Sequence, residues 1–458
     1  MIRLRPYQEQ ALQVFQENGN RGIFDMATGT GKTFTSIACA NAFYEDNKRQ
    51  FLVILVPFLH LIPQWKENLD RLGILANLEI ANSRDSWQHK LQHLIFDFDH
   101  GYRDRVVIIG SYKSTNSDLF GELLDSLKLK QYGFLIADEC HYLGSGSSTN
   151  LDVYKRLSGR LGLSATPRRW WDEDGTERIF DLFDEIVFQY SLKEAIDNNF
   201  LTHYRYYPIP VTLDFEENQR YINLSNKISK LTVLKTNNGK HDLDDKLKRL
   251  LLRRSRLLQS AGNKEETFEK IFKQQVPDFS LVYCPDGKIE KYTSIVGNNL
   301  GVRVHTFDSK TSYGKRTEIL KQFAENKIQT LTAIKCLDEG VDVPATKTAY
   351  FISSTTNPRQ FIQRRGRILR MDRKSGKITA DIYDLIVVPD KEEMDISVAR
   401  GMVKREMPRF HEFSQYADNE FEARKVIQPI LADFNLDSYM DKSAWDIYEE
   451  NKREIEGL

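Results

Sequence analysis

Cysteine is scarce and scattered in this 458-residue chain: there are four, at Cys39, Cys140, Cys284 and Cys336, and no C-x-x-C pair. That spacing excludes a zinc ribbon and a disulfide framework, and it fits a reducing compartment. Charge of one sign is not in excess either, since 65 Lys and Arg face 65 Asp and Glu. A nucleic-acid partner would therefore have to meet local basic surface rather than a global positive field. No run is apolar for the length of a membrane span. The greasiest stretch, FLVILVPFLHLIPQW, is interrupted by Pro57, His60 and Pro63. The N-terminal MIRLRPYQEQ has no apolar segment of signal-peptide length. The expected setting is the cytoplasm, with no membrane partner. Internal repeats and low-complexity segments are missing as well, which excludes solenoids and arrays.

What is present is an alternation of short apolar runs with longer helical patterns. FLVILV (51–56), RVVIIG (105–110), FLIAD (134–138) and RLGLSAT (160–166) are near-continuous apolar runs ending in small or polar residues. Strands covered on both faces in a parallel sheet read this way. The pattern lapses over 213–276, where the residues look helical and charged. It resumes with SLVYCPD (280–286), RVHTFD (303–308), IQTLTAI (328–334), TAYFIS (348–353) and DIYDLIVV (381–388). The expectation is an α/β chain with a first domain over 1–200 and a second over 201–390. The second carries a helical insertion over 213–276, and a helical tail follows over 391–458.

The stretch MATGTGKT (26–33) nearly matches the phosphate-binding pattern G-x-x-x-x-G-K-[ST], with Met26 in place of the first glycine. It follows the apolar RGIFD and precedes the helical FTSIACANAFYE. Backbone N–H groups of the Thr28, Gly29, Thr30 and Gly31 turn can wrap phosphates at a helix start. Lys32 would reach the β- and γ-phosphates, and the Thr33 hydroxyl would ligate Mg²⁺. About a hundred residues later FLIADECH ends a buried strand in Asp138 and Glu139. An acid there can hold Mg²⁺ from the opposite side, and a second can orient or deprotonate water. ATP hydrolysis with Mg²⁺ is the reading.

With these residues in order, the chain resembles the superfamily 2 helicases and translocases, built from two tandem RecA-like domains. RPYQEQAL looks like the region whose glutamine, here Gln8, reads the adenine edge. MATGTGKT is the family's form of the loop, in which the first glycine is often replaced. DECH is the DExH box, and SATP (164–167) resembles the coupling motif III. TAIKCLDEGVDVP resembles motif V, with Gly340 and Asp342 expected to line the nucleotide cleft. QRRGRILR (363–370) matches motif VI, beginning at Gln363. The resemblance implies that Arg367 and Arg370 reach the γ-phosphate, and that His141, Ser164 and Thr166 link nucleotide to strand. The glycine between the arginines is read as letting a helix start pack closely, with the arginines projecting toward the domain boundary.

Cys140 and VPFLHLIPQW depart from the alanine and the PTRELA-like segment of the DEAD-box RNA unwinders. The combination is more similar to XPB-like and UvsW-like DNA helicases and to restriction or phage-defence motors. DNA, whether single-stranded, duplex or branched, is the implied partner. No nuclease constellation is visible, so any cutting subunit would be a separate chain. Two alternatives stay open: an RNA-dependent ATPase, and an ATP-gated clamp that grips nucleic acid without unwinding it. KLKRLLLRRSR (246–256) places six basic residues among eleven; it reads equally as a phosphate-tracking face or a solvated one. VPFLHLIPQW and GSYKS (110–114) lie where the family touches the nucleic-acid backbone, and read equally well as strand-end loops. The aromatics of THYRYYPIP (202–210) could stack bases, but read more readily as the strand opening the second domain.

Overall fold

The computed structural model describes residues 4–81, 84–148, 150–238, 241–308, 311, 313–334, 343, 345–353, 355–372 and 374–456. The chain divides into two compact units, Met1–Leu201 and Thr202–Leu458.

The first unit is a seven-stranded sheet in the order β3-β4-β2-β5-β6-β1-β7. Its strands are β1 (Arg21–Met26), β2 (Gln50–Val56), β3 (Leu78–Ile80), β4 (Arg105–Ser111), β5 (Gly133–Asp138), β6 (Gly159–Ser164) and β7 (Ile186–Tyr190). Every neighbouring pair is parallel. Parallel strands are joined by crossovers that lay helices on both faces, so β2 is buried at all seven positions. This is why the sequence shows apolar runs rather than alternation. The expected strand through 160–166 stops at Ser164, leaving Thr166 in the loop beyond. β3 and β7 went unseen because three residues carry no period and the edge strand β7 is only partly covered.

The second unit is a six-stranded parallel sheet in the order β10-β11-β9-β12-β13-β8. It comprises β8 (His203–Thr212), β9 (Ser280–Tyr283), β10 (Val304–Phe307), β11 (Thr330–Ala333), β12 (Thr348–Phe351) and β13 (Thr379–Val388). The THYRYYPIP aromatics are strand residues: Tyr204 and Tyr206 are buried, and Tyr207 stacks on Tyr383 of the paired strand at 4.7 Å. Three helices, Phe215–Asn238, His241–Gln259 and Asn263–Gln275, stand between β8 and β9. On the second of them Lys246, Lys248, Arg249, Arg253 and Arg256 are exposed, whereas Arg254 turns inward to the Ser225 hydroxyl at 3.3 Å. The C-terminal region is helical, over Ile396–Ser414, Glu420–Asp433 and Ala444–Glu456. Among the described residues no helix is long and apolar enough to cross a membrane. These are two parallel-sheet α/β domains of the tandem RecA-like kind, with a helical C-terminal region.

Candidate active site

Because the first sheet is parallel throughout, the segments leaving β1, β2, β4, β5 and β6 all emerge at one edge. The carboxyl ends of such strands are where open α/β sheets hold ligands.

β1 ends on Met26, which is fully buried and lies within the strand, before the turn. The left-handed conformations fall later, at Gly29 (φ 91°) and Gly31 (φ 88°), and these positions need glycine. At Gly31 an added Cβ would lie 2.8 Å from the terminal Nε2 of Gln8, which would have to shift, so the left-handed backbone is the stronger demand for glycine there. The helix α1 (Lys32–Asn47) starts directly behind the loop. Lys32 Nζ donates to the Met26 carbonyl at 3.1 Å, and the Thr30 hydroxyl donates to the Ala27 carbonyl at 2.7 Å. The Thr28 hydroxyl is buried without a hydrogen-bond partner among the described residues. Such a group costs about 1–3 kcal/mol unless something pairs with it, and a ligand oxygen would.

Gln8 is buried on the helix Pro6–Glu17 and lies against this loop. Its Oε1 accepts the Arg5 N–H at 3.0 Å, and its Nε2 donates to the Gly31 carbonyl at 3.5 Å. The neighbouring Tyr7, which sequence reasoning passed over, donates its hydroxyl to the Thr30 carbonyl and stacks on Tyr190 at 4.0 Å. The signal was available: an aromatic residue directly before the glutamine, after a helix-starting proline.

Asp138 ends β5, and Glu139 follows it directly. Burial, and then the neighbouring Glu139, push the Asp138 carboxyl up to about 6; Trp65 and Lys32 oppose the rise. Trp65 Nε1 donates to Asp138 Oδ2 at 3.0 Å, and the Tyr112 hydroxyl donates to the Asp138 carbonyl at 2.6 Å. Neither residue was singled out from the sequence. Glu139 has a left-handed backbone, φ 49°, which costs free energy for a non-glycine residue and is found where structure around it enforces it. The fully buried His141 brings the remaining predicted residues together. Its Nδ1 lies 3.4 Å from Glu139 Oε2 and 3.4 Å from the Ser164 hydroxyl. Ser164 Oγ in turn accepts the Thr166 N–H at 3.1 Å.

The donor set suits a hard cation. The Thr33 hydroxyl and the Asp138 carboxylate would offer it oxygen atoms, and Mg²⁺ commonly takes one or two protein ligands plus phosphate oxygens and water. No cluster of three or more His, Cys, Asp or Glu among the described residues could hold a metal alone. A metal here would depend on the nucleotide.

Asp25, at the end of β1 beside Lys32, was also missed. Burial raises its carboxyl to about 6; Lys32 and Gln189 oppose that. The folded state therefore holds this proton more tightly than the unfolded chain, and the associated stability falls as pH rises from about 4 to about 6. Asp25→Asn is expected to raise the melting temperature at pH 7.5 but not at pH 4. The gain is at most about 3 kcal/mol. A variant with the wild-type pH profile of melting temperature would contradict this.

In the second unit, the motif VI residues lie in the latter half and at the end of the helix Pro358–Ile368, not at a helix start. The reason is local: Asn357 caps the helix through the Arg359 N–H and Pro358 occupies its first position, five residues before Gln363. Nor do all the arginines project outward. Arg364 donates to the Ser353 carbonyl at 3.0 Å and lies over Tyr283. Arg365 is buried and paired with the carboxylate and carbonyl of Glu412. Arg367 and Arg370 are half-buried, and Gln363 is buried. Gly340 and Asp342 lie outside the described residues.

Residues 1–169 match the family model for the type III restriction enzyme res subunit, and residues 263–372 match the helicase conserved C-terminal domain. The chain is 27% identical over 390 residues to a DNA 3'-5' translocase XPB2 of Sulfurisphaera tokodaii, covering 82% of this chain and 80% of that one. It is 22% identical over 406 residues to the general transcription and DNA repair factor IIH helicase/translocase subunit XPB of Dictyostelium discoideum, covering 87% of this chain but 45% of the relative. A solved structure, the ATP-dependent type ISP restriction-modification enzyme LlaBIII bound to DNA, superposes with a TM-score of 0.62 at 16% identity. It covers 97% of this chain and 33% of that one, a likeness of fold. Phosphate loop, DExH box and helicase C-terminal half, in that chain order on two parallel-sheet units, make this an ATP-hydrolysing superfamily 2 helicase/translocase, similar to XPB-like proteins and restriction-enzyme motors.

Proposed function

We propose that this chain is an ATP-dependent DNA translocase or helicase that moves on or remodels DNA in repair, recombination or restriction. The observation that supports it best is the contact chain Glu139–His141–Ser164–Thr166, which joins the acid expected to act on water to the loop after β6. A plain nucleotide-hydrolysing domain has no need of a buried polar relay leading away from its phosphates.

In this reading the amides of residues 28–31 and Lys32 hold the triphosphate, and Gln8 meets the adenine edge. Thr33 and Asp138 would hold Mg²⁺, which when bound neutralises charge on the β- and γ-phosphate oxygens. Glu139 takes a proton from the attacking water as its oxygen bonds to the γ-phosphorus and the bond to ADP breaks. Arg367 and Arg370 supply positive charge to the transferring phosphoryl group. Gly340, Asp342 and Gln363 complete the nucleotide contacts. His141, with Ser164 and Thr166, reports the state of Glu139 to the DNA-binding surface. A nuclease or specificity subunit in trans belongs to the restriction variant of this proposal.

The deciding experiment is steady-state ATPase rate at fixed salt with no nucleic acid, single-stranded DNA, duplex DNA, forked DNA and RNA. Stimulation of about tenfold or more by DNA but not RNA is expected. RNA as the best activator would replace the DNA reading. No stimulation by any of them, with tight stoichiometric binding, would favour an ATP-gated clamp.

A further inference from the structure

The helix α2 (Leu61–Asp70) follows β2, and β2 pairs with β5. Its Trp65 is 2% exposed, deep under the sheet edge. An indole has one polar hydrogen, fixed in the ring plane, and a buried one needs an acceptor. A backbone carbonyl would serve for packing alone. Instead Nε1 donates to Asp138 Oδ2 at 3.0 Å, and this is the only side-chain hydrogen bond to that carboxylate among the described residues. The Tyr112 hydroxyl, from the segment after β4, holds the same residue's backbone carbonyl at 2.6 Å. One carboxylate oxygen is thus engaged from the core side, and the backbone is fixed independently.

We propose that Trp65 is a positioning residue for the metal site: its indole sets the Asp138 carboxylate so that Oδ1 faces the cation. This rests on the reading of Asp138 as the Mg²⁺ acid. Trp65 touches neither metal nor nucleotide and acts through Asp138. Partners that orient a ligating carboxylate change metal affinity by about 10–100-fold when removed. The placement also gives α2 a direct hold on the metal ligand, so a shift of that helix would be felt at Asp138.

The test uses the full chain with ADP and Mn²⁺, an oxygen-seeking octahedral cation whose free form is counted by electron paramagnetic resonance. Trp65→Phe removes the N–H and keeps an aromatic ring. It is expected to weaken Mn²⁺ binding to the ADP-bound protein about tenfold or more, with ADP affinity in chelator unchanged. Wild-type Mn²⁺ affinity in Trp65→Phe, alongside its loss in Asp138→Asn, would reduce Trp65 to packing. An equal loss of metal-free ADP affinity would do the same. Wild-type Mn²⁺ affinity in Asp138→Asn would instead remove Asp138 from the metal site and overturn both readings. A second measurement needs no change at Trp65. In wild-type protein with ¹⁵N-labelled tryptophan, one of the five indole N–H signals should move when Mg²⁺ joins ADP, and should stay still in Asp138→Asn. Five signals indifferent to Mg²⁺ would overturn the proposal.

Discussion

Lys32→Ala is expected to lower ATP turnover by about 10²–10³-fold or more, the cost of removing one preorganised electrostatic group from a site of this kind. The ammonium is bonded to the Met26 carbonyl, and it is a favourable charge for two half-buried acids, Asp25 and Asp138. Its loss removes the counter-charge for the phosphates and leaves both carboxyls less compensated, so the site becomes more repulsive to ATP as well as less able to stabilise transfer. Nucleotide affinity should fall along with kcat. Lys32→Arg should not rescue, because a planar guanidinium cannot replace a compact ammonium inside a loop this close to Met26. ATPase assays over a range of ATP concentration check this, and near-normal turnover in Lys32→Ala would remove the loop from the active site.

The second large effect is expected at Arg367. Arg367→Ala should reduce kcat by about 10³-fold or more while leaving nucleotide affinity within a few-fold, the signature of an interaction made only as charge develops on the transferring group. The four motif arginines permit an internal control. Arg364 spends its guanidinium on the Ser353 carbonyl and the Tyr283 ring. Arg364→Ala should therefore lower the melting temperature, with any loss of rate following the loss of folded protein. Parallel losses of affinity and kcat in Arg367→Ala would argue against its assignment to phosphoryl transfer.

The sequence made legible those parts of the fold whose chemistry forces a residue type. Phosphate wrapping demands left-handed backbone, so Gly29 and Gly31 could be read directly, and the structure shows why Met26 is tolerated: the turn begins after it. Strands covered on both faces need apolar residues at every position, so β2 and β5 stood out while the three-residue β3 did not. Trp65 was hidden because a buried tryptophan on an amphipathic helix looks like any core residue until its N–H is followed to its acceptor. Asp25 was hidden because a lone acid at a strand end carries no pattern. Motif VI was legible as a run of charge, but the inward turn of Arg365 depends on a partner in a distant helix. Glu412 stands 47 residues after Arg365, beyond the reach of local spacing.

That partner bears on where the chain can be cut. The helix Ile396–Ser414 supplies Glu412 to Arg365, and through Arg409 it also bonds the buried Asp384 of β13 at 2.8 Å, where Tyr206 adds a second bond at 3.0 Å. A fragment ending at residue 390 would keep Arg365 and Asp384 and lose their counter-ions. Breaking a buried pair on one side costs about 3–5 kcal/mol, and two such losses approach the whole stability of a domain. The helix Ile396–Ser414 is therefore part of the fold of the second unit, and a cut that removes it is expected to unfold the sheet that presents motif VI.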